Sequence, residues 1–139
     1  EFVSIQERYK RGVFALDTAL FLHDLTDRTP HKFHMAFPYG YNTSSPKAAG
    51  ILCSCKKEPY YSLGIALVDT PAGNTVRAYN AEKTLCEILK PISHTDIQII
   101  TDAFKRYAGR KDKNIPLLSE YAHQLRVEKR LRPYLEVLL

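Results

Sequence analysis

The sequence of 139 residues has no tryptophan and one methionine, and it has no glycine-rich phosphate loop and no nucleophile elbow. No apolar run approaches the roughly 20 residues that span a bilayer. The first residues also do not show the basic start, apolar middle and small-residue end of a signal peptide, so we do not expect one here. These absences argue against membrane-spanning proteins, P-loop nucleotide-binding proteins and serine hydrolases with a nucleophile elbow.

Cysteine is also scarce. The three residues of this type, Cys53, Cys55 and Cys86, are odd in number and do not form a disulfide framework, which predicts a reducing cytosol. Cys53 and Cys55 lie two apart, so on a strand both side chains point to one face. Because no matching Cys or His pair completes a zinc site, we predict core packing for them. We expect no metal and no other cofactor.

The length and composition suit one domain with a buried core, since 45% of the residues are hydrophobic and 25% are charged. The first residue is Glu1 and the only methionine is Met35. We therefore expect a segment upstream, interpret residues 1–11 as a lead-in or the end of a linker, and assign residues 12–139 to a single domain.

The first part of the chain predicts one helix and one strand. Asp17 is a plausible N-cap for a helix over Thr18–Leu25. A turn follows at Thr26–Pro30, because proline and Asp/Thr clusters stop helices. Alternating apolar residues then predict a half-buried strand over His31–Pro38. Tyr39–Gly50, with two glycines and a Thr-Ser-Ser run, is expected to be an exposed loop.

A second strand and a hairpin precede the helical half. Ile51–Lys56 is predicted to be a short strand. Leu63–Val68 and Thr75–Tyr79 flank a strong turn composition and predict a hairpin. Asn80 can cap a helix that ends near Leu89, before Pro91.

Three further helices complete the prediction. Ser93-x-x-Asp96 is expected to open the first, and Asn114 followed by Pro116 starts the second. Pro133 should kink the last helix or mark a break before it. Strands followed by a run of helices favour an α+β domain, with a small antiparallel or mixed sheet packed against C-terminal helices. The expected apolar stripes are Ile97, Ile100, Phe104 and Ala108, then Leu118, Ala122 and Leu125, then Val127, Leu131, Leu135 and Leu138.

The residues that could carry catalysis are scattered in sequence. His31 and His34 lie three apart on the predicted strand, so they face opposite sides, and we expect both at the surface. Asp69 ends a strand, but no Glu-x-Lys follows it, which disfavours a metal-dependent nuclease. A nucleic-acid-processing enzyme whose site converges only in three dimensions remains the alternative, and a bare interaction module is a third possibility.

The positive charge is concentrated at the end of the chain. The net charge is +5, and residues 99–139 contribute nine Lys and Arg against five Asp and Glu. A localised basic face attracts phosphate backbones and positions them without reading base sequence. The candidate nucleic-acid-binding residues are the nine cations of this segment: Lys105, Arg106, Arg110, Lys111, Lys113, Arg126, Lys129, Arg130 and Arg132.

Three blocks of sequence, taken together, resemble one family. The first is Asp17–Asp27 with Pro38–Asn42, and the second is Thr70–Tyr79 leading into Glu82–Glu87. The third is Leu125–Leu139. Their order and spacing resemble the C-terminal domain of the AbiEi antitoxins, the regulator half of the AbiE phage abortive-infection toxin–antitoxin systems.

The resemblance covers essentially the whole chain and implies a function. In that family an N-terminal winged helix binds inverted repeats in the operon's own promoter, and the C-terminal domain neutralises a nucleotidyltransferase-like toxin. These type IV systems need no stable complex between toxin and antitoxin. The resemblance implies a non-enzymatic cytoplasmic antitoxin domain separated from its winged helix, with no membrane partner. The chain departs from the family pattern at Thr43–Gly50 and at Pro133.

Overall fold

The computed structural model describes residues 1–138, and Leu139, the last residue of the third sequence block, lies outside them. The described chain contains seven α-helices, one 3₁₀-helix and five strands. The helices are α1 (Phe2–Arg8), α2 (Leu16–Leu22), α3 (Ser44–Ala48), α4 (Ala81–Ile88), α5 (Ile97–Ala108), α6 (Ile115–Leu125) and α7 (Glu128–Leu138), with the 3₁₀-helix at Pro91–Ser93. The strands are β1 (Val13–Phe14), β2 (His34–Pro38), β3 (Leu52–Lys56), β4 (Ile65–Asp69) and β5 (Thr75–Tyr79).

The five strands form one mixed sheet in the order β3-β2-β1-β5-β4. The central strand β1 pairs antiparallel with β2 and parallel with β5. On the outside, β3 is parallel to β2, and β4 is antiparallel to β5. Together with the helices, this sheet confirms the predicted α+β class, and β4–β5 is the predicted hairpin.

Helices cover both faces of the sheet. On one face, the ring of Phe2 in α1 packs edge-to-face against Phe14 and at a tilt against Phe33, with ring centroids 5.4 and 4.6 Å away. Residues 1–11, interpreted from sequence as a lead-in, thus include a helix that packs on the sheet. On the other face, α4 lies among α2, α5 and α6, and a larger apolar core unites these helices with α7.

Side chains cap the starts of three helices, and two of these caps, at α4 and α6, are the residues expected from sequence. The side chain of Asn80 accepts a hydrogen bond from the Lys83 amide at the start of α4. Asp96 caps α5 and Asn114 caps α6 in the same way. Each cap satisfies a backbone donor that has no partner within its helix, which explains why the starts of α4 and α6 were predictable.

Several local predictions were wrong. The N-cap of α2 is Ala15, and Asp17 lies in the first turn, where a negative charge favours the helix dipole. The expected loop Tyr39–Gly50 contains α3, whose Pro46 is buried. Ser93 belongs to the 3₁₀-helix, and Asp96 alone caps α5.

The remaining corrections concern burial and Pro133. Cys55 is exposed instead of packed in the core, because the sheet ends at β3 and its face is incompletely covered there. His34 is half-buried rather than a surface residue, and Ile97 is 62% exposed at the start of its predicted stripe. Of the two outcomes expected at Pro133, a kink or a break before it, the break is absent. Pro133 lies inside α7 on the exposed side, where water can satisfy the carbonyl that proline leaves without a donor.

Candidate nucleic-acid interface

Four of the nine candidate cations lie where α6 turns into α7. Arg126 ends α6 in the left-handed conformation, with φ of 61°, and Val127 between the helices is buried. Leu131 anchors α7 to the core, so the 100° step per residue places Lys129 opposite the buried face. The same geometry places Arg130 and Arg132 on the two flanks, and all four cations are exposed.

These four cations form no ion pair with any residue in the range 1–138. The carboxylate nearest to them in sequence, Glu128, accepts a contact from Nδ1 of His123 at 3.1 Å. Arg126, Lys129 and Arg130 border a shallow concavity of about 460 Å³. We call Arg126, Lys129, Arg130 and Arg132 the α7 cationic patch.

The patch rests on a fixed base. The ring of Tyr134 in α7 stacks on that of Phe104 in α5, with centroids 4.4 Å apart and planes 15° from parallel. Val127 and Leu131 are buried in the same core. Because this base is packed, the four cations are presented in a defined arrangement, and contact with a polyanion orders only their side chains.

Lys105 and Lys111 are also exposed and unpaired within the described range, but they lie elsewhere. Lys105 borders a separate concavity with Ile97 and Asp102 on α5. Lys111 lies in the loop between α5 and α6. Neither lysine lines the concavity bordered by the α7 cationic patch.

The other three candidates are engaged inside the protein. Arg106 Nε donates to Asp102 at 2.8 Å, and Arg110 donates two hydrogen bonds of 2.8 Å to Asp112. The Arg110 guanidinium lowers the pKa of Asp112 to about 2. Lys113 Nζ donates to two backbone carbonyls at the end of α5 and so caps that helix. These residues are therefore less available to phosphate than the sequence suggested.

Helix α4 carries a set of buried ionisable residues that the sequence reasoning missed. Glu82, Lys83 and Glu87 are all less than a tenth exposed. Lys83 and Glu87 have the i,i+4 spacing of an ordinary surface ion pair, and this spacing conceals their burial. The only sequence signal was that they fall in the second of the three blocks that carry the family resemblance.

Lys83 anchors the segment between β3 and β4. Its Nζ donates to the carbonyls of Tyr60 and Leu63, both at 2.8 Å, and lies 3.7 Å from the centre of the Tyr79 ring. Gly64 follows this segment with φ of +82°, and a Cβ there would lie 2.8 Å from Cβ of Lys83. The close packing thus requires glycine at position 64. Burial lowers the pKa of the Lys83 ammonium to about 8.

Glu82 and Glu87 have separate partners. Glu87 Oε2 lies 2.7 Å from Nζ of Lys56 on β3, and its Oε1 has no hydrogen-bond partner among the described residues. Glu82 accepts a 2.6 Å hydrogen bond from the Tyr107 hydroxyl, which in turn accepts from the Asn114 amide. These two contacts tie α4 to the edge strand on one side and to α5 and α6 on the other.

Replacing Tyr107 with phenylalanine should lower the free energy of unfolding by about 2–3 kcal/mol. The substitution keeps the ring but leaves the buried carboxylate of Glu82 and the amide of Asn114 without this hydroxyl. Urea unfolding followed by circular dichroism measures the change. Tyr121→Phe is the matched control, because its hydroxyl only accepts from the Asn80 side chain. Equal losses in the two variants would contradict this account.

Two of the histidines make hydrogen bonds inside the protein. His23 Nε2 contacts the carbonyl of Tyr79 at 2.8 Å, and His34 Nε2 lies 3.3 Å from the hydroxyl of Ser54. Burial lowers the pKa of both imidazoles. Among residues 1–138, no group of three or more His, Cys, Asp or Glu side chains is placed to hold a metal ion.

No protein-family model and no curated protein matches the chain. In the part of the chain that the structure describes, no helix is both long enough and apolar enough to cross a membrane.

Proposed function

We propose that this chain is the antitoxin domain of a type IV, AbiE-like toxin–antitoxin system. In this proposal it neutralises a nucleotidyltransferase-like toxin and supports binding of the full-length protein to its own promoter. The α7 cationic patch contacts DNA phosphates, or the phosphates of a nucleic acid that the toxin also binds. The domain is not an enzyme, and it needs no cofactor.

The packing of the three sequence blocks supports the proposal. Leu20 and Leu25 come from the first block, Leu85 from the second and Leu131 from the third, and all four are buried in one core. The blocks therefore meet in space although they are far apart in sequence.

The observation that carries the nucleic-acid part is the set of exposed, unpaired cations at the α6–α7 junction. Surface cations without internal partners can neutralise phosphates and release the counterions that surround a nucleic acid. No internal ion pair with a described residue must be broken before this contact forms. Such contacts supply affinity and position, while base recognition belongs to the winged helix in the family that the chain resembles.

The double variant Lys129→Glu/Arg132→Glu of the full-length protein should bind its promoter duplex at least about tenfold more weakly. The dependence of log K on log salt should become less steep by about 2, one for each lost phosphate contact. Fluorescence anisotropy over a salt series measures both quantities. Lys10→Glu/Lys57→Glu is the control, because it changes the net charge equally at exposed positions outside the patch.

The same loss of affinity in the control would assign the effect to net charge and contradict a role of the patch. Unchanged affinity of the patch variant, with an unchanged circular dichroism spectrum, would contradict the proposal that this domain contacts promoter DNA. Toxin neutralisation is then measured separately, because the two activities can fail independently.

A further inference from the structure

The outer edge of β3 has unpaired backbone groups. In the parallel ladder with β2, the Leu52 amide donates to the carbonyl of Phe33, and the Lys56 carbonyl accepts from Tyr39. Alternate residues of a strand direct their backbone groups to opposite sides, so those of Cys53 and Cys55 point away from β2. Within residues 1–138 these groups have no hydrogen-bond partner. An edge of this kind is a template for another strand.

A concavity of about 560 Å³ borders the start of this edge. Leu52 and Ile92 line it and are 48% and 82% exposed, so an apolar side chain can be covered there. Two exposed lysines, Lys32 and Lys47, also line it, and Asp17 is the one carboxylate in its lining among the described residues. The concavity therefore combines apolar contact with a surplus of positive charge.

We propose that the β3 edge binds an extended acidic segment of a partner protein by strand addition. Backbone groups of the segment pair with those of Cys53 and Cys55, an apolar side chain covers Leu52 and Ile92, and carboxylates face Lys32 and Lys47. Successive side chains of an added strand point to opposite faces of the sheet. One segment can therefore present apolar side chains and carboxylates in separate rows. The inference does not depend on the proposed antitoxin function.

The charges favour an acidic partner over a second copy of this chain. Two β3 edges brought together would place lysines against lysines, and like charges repel. Lysines on edge strands often keep other strands from pairing, but Lys56 is turned toward Glu87, with its Nζ 2.7 Å from the carboxylate. The opposite edge, β4, exposes Leu67 and carries Asp69 instead of lysines. The β4 edge thus serves as the internal comparison.

The probe is a fluorescein-labelled peptide of about six residues that alternates glutamate with valine. We expect saturable binding to the full chain by fluorescence anisotropy, weakened by salt, with slower hydrogen exchange at the amides of Cys53 and Cys55. A peptide with lysine in place of glutamate should not bind. Lys47→Glu should weaken binding of the peptide without lowering the stability of the fold, because Lys47 is exposed.

Proline at the edge provides the matched pair of variants. Cys55→Pro removes an outward amide and should weaken binding at least about tenfold. Leu67→Pro removes the equivalent outward amide of β4 and should leave binding unchanged, because Ala66 and Val68 carry the hydrogen bonds to β5. Absence of peptide binding would overturn the proposal, as would equal losses in the two variants. Equally tight binding of a single-stranded oligonucleotide of the same charge, or self-association of the chain in place of peptide binding, would also overturn it.

Discussion

Replacing Lys83 with alanine should lower the free energy of unfolding by about 3 kcal/mol or more. The side chain is fully buried, so its removal leaves a cavity beneath the segment between β3 and β4. The carbonyls of Tyr60 and Leu63 also lose the ammonium that binds both. Urea unfolding at neutral pH measures the loss.

The Lys83→Met variant separates the effect of losing side-chain volume from the effect of losing the ammonium charge. Methionine fills most of the space, and a buried ammonium carries a desolvation cost, so we expect this variant to lose only about 1 kcal/mol. A Lys83→Ala variant as stable as Lys83→Met would show that the site collapses without a cavity. A Lys83→Ala variant as stable as wild type would contradict the anchoring role altogether.

The lowered pKa of Lys83 gives this comparison a pH dependence. The folded-state pKa is about 8 and the ordinary lysine pKa is 10.5, so between these values the unfolded chain binds more protons. The stability that Lys83 contributes therefore rises with pH across this window, and the cost of burying its charge is fully present below it. The difference in unfolding free energy between wild type and Lys83→Met should grow in favour of wild type from pH 8 upward. A constant difference would contradict the shift.

The second large effect is expected at the ion pair between Lys56 and Glu87. Lys56→Met should lower the free energy of unfolding by about 2–3 kcal/mol, because the Glu87 carboxylate, 3% exposed, then has no partner for either oxygen. This loss is smaller than the loss on breaking a fully buried ion pair, because the lysine side chain is 24% exposed and solvent partly screens the pair.

A double-mutant cycle with Glu87→Gln isolates the pair. Glu87→Gln should cost about 1 kcal/mol, and adding Lys56→Met to it should cost little more, because no buried charge then remains. Lys57→Met is the control at the next position, where the side chain is exposed, and it should change stability by less than about 0.5 kcal/mol. A coupling energy near zero would show that Lys56 and Glu87 do not stabilise each other.

The parts of the fold that local chemistry determines were predictable from sequence. Asn80 and Asn114 each satisfy an amide at a helix start, and this requirement depends on residues within one turn. The β4–β5 hairpin followed from two apolar runs around a turn composition. The α+β class followed from their order along the chain.

Burial of charge could not be predicted in the same way. Every residue of α4 is buried because α2, α5, α6 and the 3₁₀-helix pack around it, and this arrangement is set by tertiary packing alone. Glu82, Lys83 and Glu87 would lie in solvent if α4 were an ordinary surface helix. Their partners are supplied by segments far away in sequence, such as Lys56 and Tyr107.

The cationic segment was identified by composition, but composition does not separate free cations from engaged ones. Arg106 and Arg110 are held by Asp102 and Asp112, whereas the α7 cationic patch is unpaired within the described residues. Whether a cation is free or engaged depends on its rotamer and on the position of the end of α5. Because the unpaired cluster lies at the α6–α7 junction, we assign the proposed contact with nucleic acid to that junction.

The antitoxin proposal predicts that a nucleotidyltransferase-like toxin is encoded beside this protein, and its most direct test is the growth of cells that express such a toxin. Co-expression of the wild-type protein should restore growth. Lys129→Glu/Arg132→Glu should fail to restore it at equal protein level, while Lys10→Glu/Lys57→Glu should restore it fully. Failure of the wild-type protein to restore growth would contradict the antitoxin function itself. Full rescue by the patch variant would contradict the role of the α7 cationic patch in neutralisation.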